Sequence, residues 1–344
     1  MNQKERLDSD LCLILSRLQE FTTTAVILYG GFGRDEGSWV MENDGSWRPY
    51  NDYDLLIVSE MAIPDEEISS LRKTLAAQIG INWVDICQMT PAALKGLKPS
   101  IFNYDLKVAS KVISGDPAIL NLIPEIRPDD LPLREGEILF FTRLWTLLGC
   151  MDEEGFQVDK DGEEARFFRN QMAKAVLAVV DVILLQSGSY HSSYLERVSR
   201  VKQLASTTED LSLLYQWALE EKLNPKDTAM SKKEVESLYC SVHEVFFAEM
   251  ETILSKRYQR KIAVAEDIES CIKFSPFVIM KRIFFLLIRR SWQCERQIKV
   301  NLAQMYIAKA YQKVSSSPKI GHSISRKWHD PLHTGECHEK KQAQ

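Results

Sequence analysis

The sequence lacks the features that mark several common protein classes. Its 43 Lys and Arg residues are outnumbered by 48 Asp and Glu residues, which gives a formal net charge of −5. A dedicated nucleic-acid-binding domain normally carries excess positive charge, so a nucleic-acid partner is disfavoured. The seven cysteines include no CxxC pair, and we therefore expect reduced thiols in a cytoplasmic protein rather than a disulfide framework.

Long apolar runs are also missing. The most apolar segment, 274–288, is interrupted by Lys281 and Arg282 and is too short to span a bilayer. We interpret it as a buried helix and predict no membrane partner. The charged start of the sequence, MNQKERLDSD, leads into no apolar region, so we expect no signal peptide.

What the sequence does contain is a pair of acids at the start of an apolar strand. Asp52 and Asp54 lead directly into Leu55–Val58. Side chains alternate along a strand, which places both carboxylates on one face, roughly 7 Å apart along the chain. Two such carboxylates repel each other unless a positive charge lies nearby, and Mg²⁺ prefers oxygen ligands. The pattern therefore predicts a site for a divalent cation.

Upstream of the acids, an apolar strand ends in a glycine-rich turn. Gly30, Gly31 and Gly33 follow Val26–Tyr29, and Arg34 comes next. Glycine lets backbone N–H groups approach a phosphate closely, and the forked guanidinium of Arg34 suits phosphate. A role as plain loop residues remains open for Gly33 and Arg34.

Two better-known phosphate motifs do not fit this turn. GxxxxGK[ST] is absent, which excludes a P-loop. GGFGRDEG is followed by a loop rather than a helix, so the dinucleotide fingerprint lacks its context. A phosphate-binding turn combined with metal-binding acids is typical of phosphoryl or nucleotidyl transfer.

At this point the residues resemble a known family. Gly-Gly, a spacer and then DYDLLIV are similar to the signature of the polymerase-β-like nucleotidyltransferase superfamily, and GRDEGS resembles the GxxARGE run of its small bacterial members. Asp85, in INWVDIC, matches the third acid of that family on a neighbouring strand. The segment KVASKVISGDP resembles the family's helix and strand ending in Gly-Asp-Pro. The spacer between Gly31 and Asp52 is longer than in compact members and is either a substrate flap or a longer loop.

The resemblance covers about the first third of the chain and implies a fold, a site and a reaction. The fold would be an α/β domain with a mixed α+β sheet, followed by an all-α helical bundle. Asp52, Asp54 and Asp85 would be catalytic and would bind metal. The metal would be two Mg²⁺ ions, with Mn²⁺ as a possible substitute. Gly30, Gly31, Gly33 and Arg34 would bind an NTP, with ATP as the first expectation. The acceptor would be a hydroxylated small molecule, and a homodimer is compatible with the sequence.

Three alternatives remain open from the sequence. The same chemistry could modify a protein or a tRNA end in a toxin–antitoxin-type system. The chain could be a nucleotide-binding module that does not turn over. The helical half could be a ribonuclease-type bundle, although the Arg-x4–6-His pattern occurs only between Arg326 and His333, in a proline-containing segment.

The chain order predicts two domains and a tail. Helix and strand signals alternate over 1–124, and a segment rich in proline and acids follows. Helical periodicity then dominates 133–314, which predicts a helical bundle. Residues 315–344 are polar and lack periodicity, so we expect a disordered tail. A histidine-rich metal site in this tail is a second interpretation, resting on His322, His329, His333, His338 and Cys337.

Overall fold

The computed structural model of the chain describes residues 1–50, 52–150, 159–204 and 206–263. The predicted helix over 275–314 and the predicted tail over 315–344 lie outside these residues. The described residues form a mixed α+β fold with a four-stranded mixed sheet and several helices. Within these ranges, none of the helices has the length and apolarity needed to cross a membrane.

The secondary structure follows the predicted alternation of helix and strand over residues 1–124. The strands are β1 (Ala25–Tyr29), β2 (Trp39–Met41), β3 (Trp47–Pro49), β4 (Tyr53–Val58), β5 (Val84–Met89) and β6 (Lys111–Gly115). The helices are α1 (Gln3–Leu18), α2 (Gly30–Gly33), α3 (Asp65–Ile79), α4 (Pro91–Lys95), α5 (Ile101–Ala109), α6 (Arg134–Gly149), α7 (Gly162–Gln186), α8 (Tyr194–Lys202), α9 (Glu209–Leu223) and α10 (Lys232–Tyr258).

The chain divides into two compact units. The first contains Met1–Glu135 and Ile183–Lys226, and the second contains Gly136–Val182 and the described residues from Asp227 onward. The predicted boundary near residues 124–133 is close to the end of the first segment. Residues 183–226, which the sequence predicts to lie in the helical bundle, are part of the unit that contains the sheet.

The sheet of the first unit has the strand order β5-β4-β1-β6. Strand β1 is antiparallel to both β4 and β6, whereas β4 and β5 are parallel. The strands alternate apolar side chains between two faces. On one face Leu28, Leu55 and Ile86 join a core cluster with residues of α1 and α3. On the other face Ile27 and Leu56 pack with residues that include Leu106 of α5.

The long spacer before the two acids is a small separate hairpin. Strands β2 and β3 pair antiparallel around the turn at Gly45, where φ is +78°. Trp39 of β2 packs edge-on against Phe32 of α2, with ring centroids 5.2 Å apart, and Phe32 in turn lies 4.6 Å from the ring of Tyr53. These contacts anchor the hairpin to the glycine turn, and they do not decide between the two predicted alternatives, a substrate flap and a longer loop.

The described part of the second unit is mainly helical. Phe140 of α6 and Phe246 of α10 pack edge-to-face with ring centroids 4.8 Å apart. Arg166 of α7 is buried and donates a hydrogen bond to Asp227 over 2.8 Å. Because a buried guanidinium is costly without a carboxylate partner, this pair explains how an arginine is accommodated on the inner side of α7.

Candidate functional site

The pairing register of the sheet places the candidate residues in one row. Tyr29 of β1 is directly opposite Asp54 of β4, and Asp54 is directly opposite Asp85 of β5. Adjacent strands lie about 4.8 Å apart, and residues in register project from the same face. Asp52 precedes Asp54 by two residues and therefore lies on the same side of the chain. The fold thus brings together the three acids that the sequence singles out.

Asp54 lies between the other two acids that act on it, Asp52 and Asp85. Burial raises the pKa of its carboxyl group well above the ordinary value, and the neighbouring charges of Asp52 and Asp85 raise it further. The positive charges of Lys222 and Arg34 act in the opposite direction. The net effect disfavours the ionised form of Asp54, and an added cation would favour that form.

The glycine turn meets the acids at Gly30. Its backbone has φ +67°, and a Cβ atom built there would lie 1.9 Å from Oδ2 of Asp54. Only glycine fits this position, because both the backbone conformation and the space exclude a side chain. Helix α2 begins at Gly30, and its N-cap Tyr29 makes no side-chain capping hydrogen bond. The first N–H groups of a helix lack intrahelical partners, so this turn presents donors beside Asp54.

The other two glycines of the turn have packing roles in this structure. A Cβ atom at Gly33 would lie 2.6 Å from the carbonyl oxygen of Leu28, and one at Gly31 would lie 3.2 Å from that of Glu36. Gly33 is buried against β1. Close backbone approach therefore accounts for Gly33 without a ligand, whereas Gly31 is half-buried and lies in the first turn of α2.

The donor set fits Mg²⁺ in one specific way. Among the residues that the structure describes, no group of three or more His, Cys, Asp or Glu side chains is arranged to hold a metal ion. Mg²⁺, however, is commonly bound by one or two carboxylates together with substrate phosphates rather than by an all-protein cage. Asp52 and Asp54, with an uncompensated negative charge beside a turn that presents N–H groups, match that mode.

Asp85 contacts two groups of its own. The hydroxyl of Tyr29 donates to Oδ2 over 3.3 Å, and the guanidinium of Arg72 lies 3.7 Å from Oδ1. Burial raises the pKa of the Tyr29 hydroxyl, and Cys87, Asp85 and Asp54 raise it further. Tyr29 therefore stays protonated at neutral pH and acts as a donor to the acid.

Arg34, the predicted phosphate ligand, is buried in an ion-pair network. Its guanidinium lies 3.2 Å from Asp105 and 3.6 Å from Glu36, and it stacks 4.9 Å from the ring centre of Tyr194. Its side chain is only 9% exposed. The structure therefore gives Arg34 a role in linking the glycine turn to α5 and α8.

The polar cluster around Arg34 includes contacts between Glu36 and α8 that local sequence patterns do not predict. Glu36 accepts hydrogen bonds from the backbone N–H groups of Tyr194 and Leu195, and from the hydroxyl of Ser193, which is the N-cap of α8. A carboxylate at a helix N-terminus is favourable because it satisfies free N–H groups and the helix dipole. Glu36 and α8 are far apart in sequence, so local patterns contain no trace of this contact.

Arg197 of α8 completes the cluster from the other side. It is almost fully buried, donates to Asp105 over 3.3 Å, and lies over the rings of Tyr190 and Tyr194 at 4.5 and 4.6 Å. Asp105 also accepts from the hydroxyl of Tyr190. From the sequence Tyr190 and Tyr194 appear only as polar-turn residues. In the structure their rings hold Arg197 at the start of α8, within the first unit.

Replacement of Asp105 should reveal how much this cluster stabilises the first unit. Asp105→Asn leaves two buried guanidinium groups, Arg34 and Arg197, facing a neutral amide. Removing one partner of a buried ion pair costs about 3–5 kcal/mol, and we expect the lower end because both arginines keep other contacts. Urea denaturation followed by tryptophan fluorescence measures the change. Asp8→Asn, on the exposed side of α1, is the matched control and should change the midpoint little; equal midpoints for the two variants would contradict the assignment.

Comparison with known proteins identifies no family for this chain. No protein-family model and no curated protein matches the chain. The resemblance to the polymerase-β-like nucleotidyltransferases therefore stays a prediction, and any functional conclusion depends on the geometry of the first unit.

Proposed function

We propose that the chain is a Mg²⁺-dependent nucleotidyltransferase that moves an NMP group from an NTP to an acceptor hydroxyl. The observation that carries this proposal is the contact between the glycine turn and the row of acids. Gly30 lies so close to Asp54 that a Cβ atom there would be 1.9 Å from Oδ2. Donors for a phosphate and acceptors for a cation are thus adjacent, which is what a metal-bound triphosphate requires.

Asp52 and Asp54 are the residues that would hold the divalent ions. When bound, such ions neutralise negative charge on the triphosphate and on the departing pyrophosphate. The pKa of Asp54, raised by burial and by Asp52 and Asp85, supports this role because the carboxylate is stabilised by an added cation. The N–H groups of Gly30 and Gly31 would face the β- and γ-phosphates.

Asp85 would act on the acceptor. As the acceptor oxygen bonds to the α-phosphorus, its proton passes to a carboxylate oxygen of Asp85. The bond between the α-phosphorus and the oxygen that bridges it to the β-phosphorus breaks, and its electron pair leaves with pyrophosphate. The products are an NMP ester of the acceptor and pyrophosphate, so atoms and charge balance without a further reactant.

The partners follow from the same reasoning. An NTP, with ATP as the first candidate, would supply the NMP group. We favour a small hydroxylated acceptor over nucleic acid, because a formal net charge of −5 does not favour binding of a polyanion.

Pyrophosphate release tests the proposal directly. The full-length protein would be incubated with each of the four NTPs, Mg²⁺ or Mn²⁺, and pooled sugars, aminoglycosides or no added acceptor. We expect metal-dependent release with at least one NTP, and its loss in Asp52→Asn/Asp54→Asn. Absence of both release and metal-dependent NTP binding in the wild type would overturn the proposal. Tight binding without release from any pool would instead favour the nucleotide-binding module.

A further inference from the structure

The two oxygens of Asp85 are contacted by two different elements. Oδ2 accepts a hydrogen bond from Tyr29 of β1 over 3.3 Å, and Oδ1 lies 3.7 Å from the guanidinium of Arg72 of α3. Each carboxylate oxygen has two lone-pair directions. Tyr29 and Arg72 therefore fix the orientation of the carboxylate from two sides.

Both contacting groups are themselves held in place. Strand β5 is an edge strand, and Arg72 covers that edge by donating to the carbonyl oxygen of Ile86 and lying 5.7 Å over the ring of Trp83. Tyr29 is packed edge-to-face against Phe102 of α5, with ring centroids 5.3 Å apart. Neither group needs to reorganise to hold Asp85, which is the condition for a preorganised site.

We propose that Tyr29 is a positioning residue for acceptor activation, which it achieves by fixing the carboxylate of Asp85 through its hydroxyl group. This inference rests on the proposed function, in which Asp85 accepts the proton of the acceptor hydroxyl. Tyr29 does not touch the reacting atoms. Its removal should therefore slow the chemical step while the binding of NTP and metal, assigned to the glycine turn and to Asp52 and Asp54, stays unchanged.

The test is the split between kcat and KM in Tyr29→Phe, which removes one oxygen atom. General-base catalysis contributes about 10²–10⁴-fold, and an orienting partner accounts for about 10- to 100-fold. We expect kcat for pyrophosphate release to fall by about 10- to 100-fold, with KM for the NTP changed less than about twofold. The assay uses the NTP and acceptor pool that give turnover, or water as acceptor where no pool does.

The chain offers a closely matched control. Tyr53 is also buried, lies on the adjacent strand, and donates its hydroxyl to the carboxylate of Asp10 over 2.8 Å, but on the opposite face of the sheet. Tyr53→Phe removes the same kind of hydrogen bond away from the acids. It should leave kcat close to that of the wild type. A fall in kcat equal to that of Tyr29→Phe would show a general structural effect and overturn the proposal.

A double-mutant cycle tests whether Tyr29 acts through Asp85. In an Asp85→Asn background, Tyr29→Phe should lower the residual rate less than about twofold, because the group that it positions is gone. A full additive loss would overturn the proposal, as would an unchanged kcat in the single variant. The failures are distinguishable: a wild type without metal-dependent pyrophosphate release refutes the proposed function, whereas wild-type turnover with an unaffected Tyr29→Phe refutes only this inference.

Discussion

Asp54→Asn is expected to abolish metal-dependent pyrophosphate release while leaving the fold intact. Charge stabilisation by a metal is worth several kcal/mol, and each 1.4 kcal/mol corresponds to tenfold in rate. We therefore expect a loss of about a thousandfold or more. The amide keeps the shape of the side chain but can no longer neutralise a divalent cation.

The same substitution should not destabilise the metal-free protein. The pKa of Asp54 is raised by burial, by Asp52 and by Asp85, which means that its ionised form is unfavourable in the folded state. At pH 7 a neutral Asn removes this penalty. We expect the Tm of Asp54→Asn without metal to equal or exceed that of the wild type. Mg²⁺ should raise the Tm of the wild type in the presence of NTP and have a smaller effect on the variant.

A control close to the same strand makes this result specific. Glu60 is an exposed acid just beyond the other end of β4, and Glu60→Gln removes one negative charge without touching the row. Its activity and Tm should match those of the wild type. Activity of Asp54→Asn within about tenfold of the wild type would contradict the assignment. A large drop in Tm would show that any loss of activity reflects unfolding.

Gly30→Ala is expected to give the second largest effect. The added methyl group would lie 1.9 Å from Oδ2 and 2.7 Å from Cγ of Asp54, closer than any van der Waals contact. The carboxylate must therefore move out of the row. We expect activity to fall by about a hundredfold or more, since misplacement of a reacting group by about 1 Å alone can cost that much.

Two other glycines serve as controls that distinguish the effect of the clash with Asp54 from the effect of backbone strain. Gly45 and Gly80 have φ +78° and +79°, close to the +67° of Gly30, but a Cβ atom at either position would meet nothing within 4 Å. Alanine in this conformation costs about 1–2 kcal/mol. All three variants should therefore lose at least about 1–2 kcal/mol of stability in urea denaturation, with a further loss in Gly30→Ala from the clash, whereas only Gly30→Ala should lose activity. Equal activities would show that the turn and the acids are not one site.

Much of the first unit could be predicted from the sequence because its signals are local. The apolar run of β4, the glycines of the turn that forms α2 and the proline at the start of α4 are each short patterns that indicate the local backbone conformation. The shared face of Asp52 and Asp54 follows from strand geometry alone. The resemblance predicts Asp85 on a neighbouring strand, and the structure adds the parallel pairing of β4 with β5 that places it opposite Asp54.

What the sequence could not predict depends on contacts between distant segments. Glu36 binds the N-terminus of α8, Arg197 binds Asp105, and the hydroxyl of Ser38 donates to the carbonyl oxygen of Lys222. These contacts explain why residues 183–226 belong with the sheet instead of forming part of a separate helical domain. Arg34, for which the sequence left open a phosphate contact or a loop role, is paired with Asp105 and Glu36 in the structure. Individually such residues resemble ordinary surface charges.

The most direct test of the account is the fate of label from NTP carrying ³²P at either the α or the γ position. The protein would be incubated with metal and the acceptor pool, and the products separated by chromatography. Nucleotidyl transfer places the α-label in the acceptor, or in NMP when water is the acceptor, and releases the γ-label as pyrophosphate. Appearance of the γ-label in the acceptor or as inorganic phosphate, with the α-label retained in NDP, would show phosphoryl transfer and contradict the account.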